Sequence, residues 1–327
     1  MSDRKRVFSG VQPTGNVHVG NYIGAFQNWV RMQESYETIY CVVDLHAMTT
    51  PYDASEFERQ RLDMAKMILA SGVDPDRSLI YFQSHVPHHA ELAWILGTIT
   101  GIGQLERMTQ YKEKSDRAGQ NLGLLSYPVL MAADIVLHHV HAVPVGDDQT
   151  QHLELTRDLV ERFNSRFGDE FPLPERITPK IGARVMSLQD PASKMSKSDP
   201  NPASRILLVD SDDAIRKKIK TAVTDSDRYV RYDWTEKPGV SNLLELFSVF
   251  SGRPIDALVE EFHDAGYGRF KEAVGEALVA GVGPIREAFL SITDAEITDV
   301  MERGAQVARQ RAELEMVSVR AKVGLGK

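Results

Sequence analysis

The sequence predicts an α/β fold, a doubly wound parallel sheet followed by an all-helical C-terminal domain. Short apolar runs at 38–43, 78–82 and 142–145, with another ending at Gly10, alternate with longer segments of helical period. That is the pattern of parallel strands joined by crossover helices. A glycine-bearing turn follows the first run, and beyond Pro202 only helical periods remain.

The first strand ends in Phe8-Ser9-Gly10-Val11-Gln12-Pro13-Thr14-Gly15-Asn16-Val17-His18-Val19-Gly20-Asn21. Its glycines let the backbone pass close to a ligand, and residues 19–30 read as a helix whose N-terminus attracts anions. Asp44 and His46 follow the second strand. Ser55-x-x-Glu58 reads as a capping box for a helix with Leu62, Ala65, Ile68 and Leu69 on one face and Gly72 as terminator. Gln83 and Ser84 follow the third strand. Residues 86–141 are too long for a plain crossover and read as a helical insertion. This stretch carries Arg107, Lys112, Lys114 and Arg117, each of which taken alone reads as part of a solvated face. Gly146-Asp147-Asp148-Gln149 follows the fourth strand, and Leu153, Thr156, Leu159, Val160, Phe163 and Phe167 mark a helix ending at Gly168. In such folds ligands bind at the carboxyl ends of the strands, where the strand order reverses, so these residues are expected to share one crevice.

A chain of 327 residues has room for two domains. A boundary near residue 200 separates a catalytic domain, 1–200, including the insertion at about 86–141, from a helical domain, 201–327. The net charge of -8 argues against nonspecific nucleic-acid binding, so DNA is not an expected partner and RNA contact must use local basic surfaces. Cys41, the one cysteine, lies in an apolar run and reads as a small buried hydrophobe; no intramolecular disulfide is possible. No window approaches a membrane span and the start lacks a signal-peptide core, so a cytoplasmic protein without membrane contact is expected. The histidines at 85, 88, 89, 138, 139 and 141 read mostly as loop or surface residues, and no His-Glu-x-x-His or Cys-x-x-Cys spacing suggests a protein-held metal. A Gly-x-x-x-x-Gly-Lys-[Ser/Thr] loop and a Gly-x-Gly-x-x-Gly turn are also missing, which disfavours kinase-type and dehydrogenase chemistry.

Lys194-Met195-Ser196-Lys197-Ser198 supplies the chemistry. Two lysines three apart, on flexible stems, can follow phosphate oxygens as charge moves to a leaving group. Alone, such a pair reads as a solvated loop; the glycine-bearing turn is the second wall that gives it a use. The two stretches together resemble the signatures of the class I aminoacyl-tRNA synthetases, and within them the bacterial tryptophanyl branch. His18-Val19-Gly20-Asn21 matches the first signature, His-Ile-Gly-His in its commonest form, with Asn21 in place of the second histidine, a departure usual in this branch. Residues 194–198 match the second without a substitution, and Val223-Thr224-Asp225-Ser226 is a run also familiar in the family.

The resemblance implies a Rossmann-like class I core, activation of L-tryptophan by ATP with Mg²⁺, transfer to tRNA(Trp), a homodimer and an anticodon-reading helical domain. It assigns catalysis to Lys194, Lys197, His18 and Asn21. It assigns the nucleotide to Gln12, Pro13, Thr14, Gly20, Asn21, Gly146, Asp147, Asp148, Val185, Lys194, Met195, Ser196, Lys197 and Ser198. For Asp148, capping of the following helix is an equal reading. Tryptophan falls to Asp134, Phe8, His46, Tyr127, Met131 and Gln149. Asp134 has its own physical argument: an aspartate on an apolar helical face is costly to bury unpaired, and an indole N–H, a donor only, is its natural partner. Such a site rejects phenylalanine without an editing domain. The competing readings are a tyrosyl enzyme, a small-molecule nucleotidyltransferase and a noncatalytic tRNA-binding relative. Removing the helical domain is expected to abolish aminoacylation while adenylate formation persists in part.

Overall fold

The computed structural model describes residues 4–111, 121–146, 149–177 and 185–326. Strands β1 (Arg6–Val11), β2 (Glu37–Val42), β3 (Ser78–Phe82), β4 (Ala142–Pro144) and β5 (Glu175–Ile177) form one sheet in the order β3-β2-β1-β4-β5. Every pairing in it is parallel. The order reverses between β1 and β4, which opens the crevice above their carboxyl ends.

Four of these strands are foreshadowed by apolar runs; β5 is not. Its three residues, Glu-Arg-Ile, include no fully buried side chain. Backbone pairing holds it, Glu175 N–H donating to His141 O at 2.8 Å and Val145 N–H to Ile177 O at 3.3 Å. An edge strand held this way leaves no alternation to read.

The helix expected at 19–30 is present but not uniform. It opens as α1 (Val19–Asn21), passes through a π turn at Tyr22–Phe26 and ends as α2 (Gln27–Met32). Asn28 Nδ2 donates to the Ile23 and Gly24 carbonyls, both at 3.3 Å, catching groups that the π turn displaces from regular pairing. A short helix α3 (Asp44–Ala47) follows β2, and α4 is Ala54–Ala70. The expected capping box at Ser55 and Glu58 is replaced by a cap two residues earlier. Asp53 Oδ1 accepts from Ser55 N at 2.9 Å and from Ser55 Oγ at 2.7 Å, so the stronger acceptor caps the helix and Ser55 serves as its donor.

The insertion is helical where described: α5 (His88–Gly97), α6 (Ile102–Glu106) and α7 (Leu122–Val136). Arg107 is exposed at the end of α6, while Lys112, Lys114 and Arg117 lie outside the described residues. α8 (Thr150–Phe167) follows β4 and packs against α7.

The C-terminal part comprises α9 (Asp212–Lys220), α10 (Pro238–Ser251), α11 (Ile255–Phe262), α12 (Gly266–Ser291) and α13 (Asp294–Lys322). Ile215, Ile219 and Ala222 are buried and Lys217 and Lys220 exposed, as the helical period predicts, while Lys218 is half-buried and paired with Asp210. The division expected near residue 200 marks no break in the core, because one cluster joins Val19, Ile23 and Phe26 to Ile206, Leu243 and Val274. Helix α13 returns to the sheet edge so closely that a Cβ on Gly304 would stand 1.8 Å from Ile80 O. No helix among the described residues is long and apolar enough to cross a membrane.

Candidate active site

The two signature stretches meet. Lys197 Nζ donates to the Thr14 carbonyl at 2.7 Å. Segment 206–208 ties this corner down, with Val19 N–H donating to Ile206 O and Leu208 N–H to Val17 O, both at 2.9 Å. His18 caps the first helical turn: its Nδ1 accepts from Asn21 N at 3.3 Å, while Asn21 Oδ1 accepts from His18 N at 3.3 Å. An accepting Nδ1 leaves the proton of a neutral ring on Nε2. Burial, then the cations Lys197, Arg205 and Lys194, pulls the imidazole down to about 4, so His18 is neutral at pH 7. Burial also lowers the Lys197 ammonium to about 8. Gly20 sits where a Cβ would stand 3.0 Å from the His18 ring and 3.4 Å from Val185 Cβ, so its missing side chain makes room for the cap.

The base of the lysine loop is anchored by the helical part. Met195 N–H donates to Val185 O at 3.1 Å; Asn242 of α10 accepts from Met186 N at 2.9 Å and donates to Met186 O at 3.0 Å. The side chains of Val185 and Met195 are buried in the core, so what these two positions can offer a nucleotide is main chain. Ser196 and Ser198 hold each other at 2.9 Å near the surface, beside the exposed Lys194.

Beyond this corner a cavity of about 370 Å³ opens at the switch point, a size suited to a small-molecule ligand. All six residues assigned to the amino acid line it: Asp134, Phe8, His46, Tyr127, Met131 and Gln149. Gln12 and Gly146 of the nucleotide set line it too, while Asp147 and Asp148 lie outside the described residues.

Asp134 is almost fully buried, but it is not the unpaired acceptor the sequence suggests. His46 Nε2 lies 2.7 Å from Oδ2, and Gln83 Nε2 and His89 Nδ1 lie 2.7 and 2.8 Å from Oδ1. Burial by itself would raise this carboxyl; His46 and His89 outweigh it and hold it down at about 2, so the group stays ionised. A carboxylate has about four lone-pair sites, and three are filled, which leaves one on Oδ2 for a ligand donor. Tyr127 is similarly backed, its hydroxyl donating to Gln110 Oε1 at 3.0 Å and facing His152 Nε2 at 2.7 Å.

Asp44 and Ser84 have a different part from the one expected. Asp44 Oδ1 accepts from Ser84 N at 2.9 Å, its Oδ2 accepts from Ser84 Oγ at 2.6 Å, and Arg61 Nε lies 2.8 Å from Oδ2. They splice the ends of β2 and β3. His89 and His138 are buried, against the expectation of surface histidines. His89, His152 and Arg205 carry no spacing signal that the sequence could have offered. Among the described residues, His139, Glu170 and Glu315 could converge on a cation, but the Lys322 ammonium already lies 2.6 Å from Glu170. That cluster is not part of the crevice.

Comparison with known proteins agrees with this geometry. A family profile described as tRNA synthetases class I (W and Y) matches residues 2–282. The chain is 48% identical to a tryptophan–tRNA ligase of Caldanaerobacter subterraneus subsp. tengcongensis, covering 98% of each chain. It is also 48% identical to one of Listeria monocytogenes, covering 99% of this chain and 98% of that one. The chain belongs to the bacterial tryptophanyl-tRNA synthetases. Solved members of the family superpose throughout. The tryptophanyl-tRNA synthetase of Mycoplasma pneumoniae gives a TM-score of 0.89 at 32% identity, covering 99% of this chain and 98% of that one. That of Campylobacter jejuni, complexed with ADP and tryptophan, gives 0.86 at 34% identity, covering 98% and 100%. A tyrosyl-tRNA synthetase of Aeropyrum pernix, at 21% identity and a TM-score of 0.66, shares the fold alone.

Proposed function

We propose that the crevice carries out both half-reactions of a tryptophan–tRNA ligase, with its cationic corner on the phosphates and its buried carboxylate on the indole. The protein is an aminoacyl-tRNA synthetase that joins tryptophan to its tRNA through tryptophanyl-adenylate. The contact of Lys197 with the Thr14 carbonyl carries the division of labour, because it puts the two phosphate walls against one another beside the cavity.

A carboxylate oxygen of tryptophan attacks the α-phosphorus of ATP and the bond to pyrophosphate breaks. No base is required, so rate comes from positioning and from neutralising charge on the leaving group. Lys194 and Lys197 take that role. His18, neutral with its proton on Nε2, donates to phosphate without adding charge, and Asn21, Gln12 and Thr14 complete the wall. The ribose hydroxyl of the tRNA end then attacks the adenylate's carbonyl carbon and AMP leaves. Asp134 accepts the indole N–H at its remaining site on Oδ2, Phe8 and Met131 pack the ring, and Tyr127 and Gln149 hold the amino group. The Campylobacter jejuni relative with ADP and tryptophan bound supports this pairing of ligands.

Among the described cavity residues the only carboxylate is Asp134, which is already engaged. Mg²⁺ therefore fits as the nucleotide's own companion, held by phosphate oxygens, where it neutralises phosphate charge. Trp94, Ile102 and Leu122 of the insertion are 78%, 65% and 77% exposed, and three large apolar side chains on one inserted unit support docking of a second copy there. Residues 201–327 are assigned to the anticodon. ATP–pyrophosphate exchange with each of the twenty amino acids tests the reading: tryptophan alone should drive exchange, and exchange driven by tyrosine instead would overturn it.

A further inference from the structure

Behind Asp134 runs a chain of buried polar groups that the reaction above does not use. His89 Nδ1 stands 2.8 Å from Asp134 Oδ1. On its other side His89 Nε2 lies 3.0 Å from the Tyr81 hydroxyl, which lies 2.7 Å from His138 Nε2. His89 and Tyr81 are fully buried and His138 nearly so; His138 Nδ1 has no partner among the described residues, while His89 Nδ1 meets the carboxylate as a close ion-pair contact outside linear hydrogen-bond geometry.

Counting protons orders this chain. Tyr81 has one O–H proton, an imidazole nitrogen on each side and the Cys41 thiol as a third, weaker neighbour; between the two imidazoles, the stronger partners, it donates to one and accepts from the other. If His89 gives its Nδ1–H to the carboxylate, its Nε2 is bare and Tyr81 donates to it. His138 must then carry its proton on Nε2, which leaves its Nδ1 as a bare acceptor. Protonating His89 on both nitrogens reverses the chain, makes Tyr81 donate to His138, and moves the His138 proton to Nδ1, where it becomes a buried N–H without an acceptor. Orphaned buried donors are the rarer and costlier case. Burial, with His89 and Arg311 nearby, also keeps the His138 imidazole well below its ordinary range, so this end of the chain is neutral. Gln83 completes the fixation: Leu45 N–H donates to its Oε1 at 3.2 Å, which turns its Nε2 toward Asp134.

We propose that His138, Tyr81 and His89 form a directed hydrogen-bond chain that holds the Asp134 carboxylate in place with its one remaining acceptor site facing the cavity, making the three positioning residues for indole selectivity. All donors point toward the carboxylate, and each bond in such a series polarises the next. The proposal rests on Asp134 as the reader of the amino-acid side chain.

Two measurements test it. ¹⁵N-edited NMR of histidine side chains in the ligand-free protein at pH 7 should show His89 neutral with its proton on Nδ1 and His138 neutral with its proton on Nε2. A doubly protonated His89, or a His138 carrying its proton on Nδ1, would overturn the chain whatever the substrate is. In pyrophosphate exchange, Tyr81→Phe should raise KM for tryptophan about five- to tenfold, leave kcat and KM for ATP within about twofold, and lower the preference for tryptophan over phenylalanine by the same factor as the KM change. A tryptophan KM within about twofold of the parent, in a folded variant, would overturn the role in selectivity. If Tyr81→Phe does not fold, Tyr81 is kept and His138→Asn provides the same kinetic comparison beside the tautomer measurement. Failure of the parent protein to exchange with tryptophan would instead remove the functional reading, leaving the tautomers to stand on their own.

Discussion

Lys197 and His18 share a corner, and burial lowers the pKa of both. Burial brings the Lys197 ammonium down to about 8, so it begins to lose its charge not far above neutrality. The alkaline limb of kcat/KM for ATP, which reports the free enzyme, should fall through about pH 8, and Lys197→Arg should move that limb upward. Lys197→Ala should lower kcat about 10²- to 10³-fold. For His18 the folded value, about 4, lies below the unfolded one. Between the two the unfolded chain binds more protons, so stability is full above about pH 6.5 and falls as pH drops toward 4, by up to about 3 kcal/mol. Denaturant midpoints at pH 7 and pH 4.5 should differ less in His18→Gln than in the parent. At Asp134, Asp134→Ala should raise KM for tryptophan about a hundredfold and flatten the preference over phenylalanine, because it removes an ionised acceptor and strands three donors together.

At the scale of elements, two close contacts govern where helices lie. The first turn of α1 is held by the reciprocal bonds of His18 and Asn21, so Asn21→Ala removes a capping group and, on the proposed chemistry, an amide that holds phosphate. It should cost about 1 kcal/mol of stability in chemical denaturation and raise KM for ATP as well. Helix α13 touches β3 through Gly304, whose missing Cβ lets the helix backbone meet the Ile80 carbonyl. Gly304→Val should lower the melting temperature sharply because no flexible side chain can yield there, and calorimetry reads it directly. A further anchor is Lys237, nearly buried, with Asp225 Oδ1 and Asp227 Oδ2 each at 3.0 Å and the Tyr267 hydroxyl at 2.9 Å. It shows why the 223–226 run can be read in sequence: Val223 N–H also donates to Leu188 O at 2.7 Å, tying the helical part to the loop base.

For the whole molecule, the continuous core changes what truncation should do. A chain ending near residue 200 would expose the partners of Val19, Ile23 and Phe26 and lose the Asn242 brace under the lysine loop. Such a chain should show no cooperative unfolding by circular dichroism and no pyrophosphate exchange, in place of the partial adenylate formation that a separable domain would allow. The helical part thus shares its core with the sheet and braces the base of the lysine loop.

The two signature stretches that meet at Lys197 and Thr14, the four apolar strands and the six residues that line the cavity were legible in the sequence, because signature residues and apolar runs are local properties of the chain. The true cap at Asp53 was within reach, since aspartate is as good an N-cap as serine. Tertiary structure alone decided that Asp134 is shared with His46, 88 positions away, and with Gln83 and His89. It alone revealed the backbone-held β5 and the unbroken core across residue 200. Each of these depends on which distant groups the packing brings within about 3 Å, and a buried polar group's partners are fixed by that proximity and by proton count.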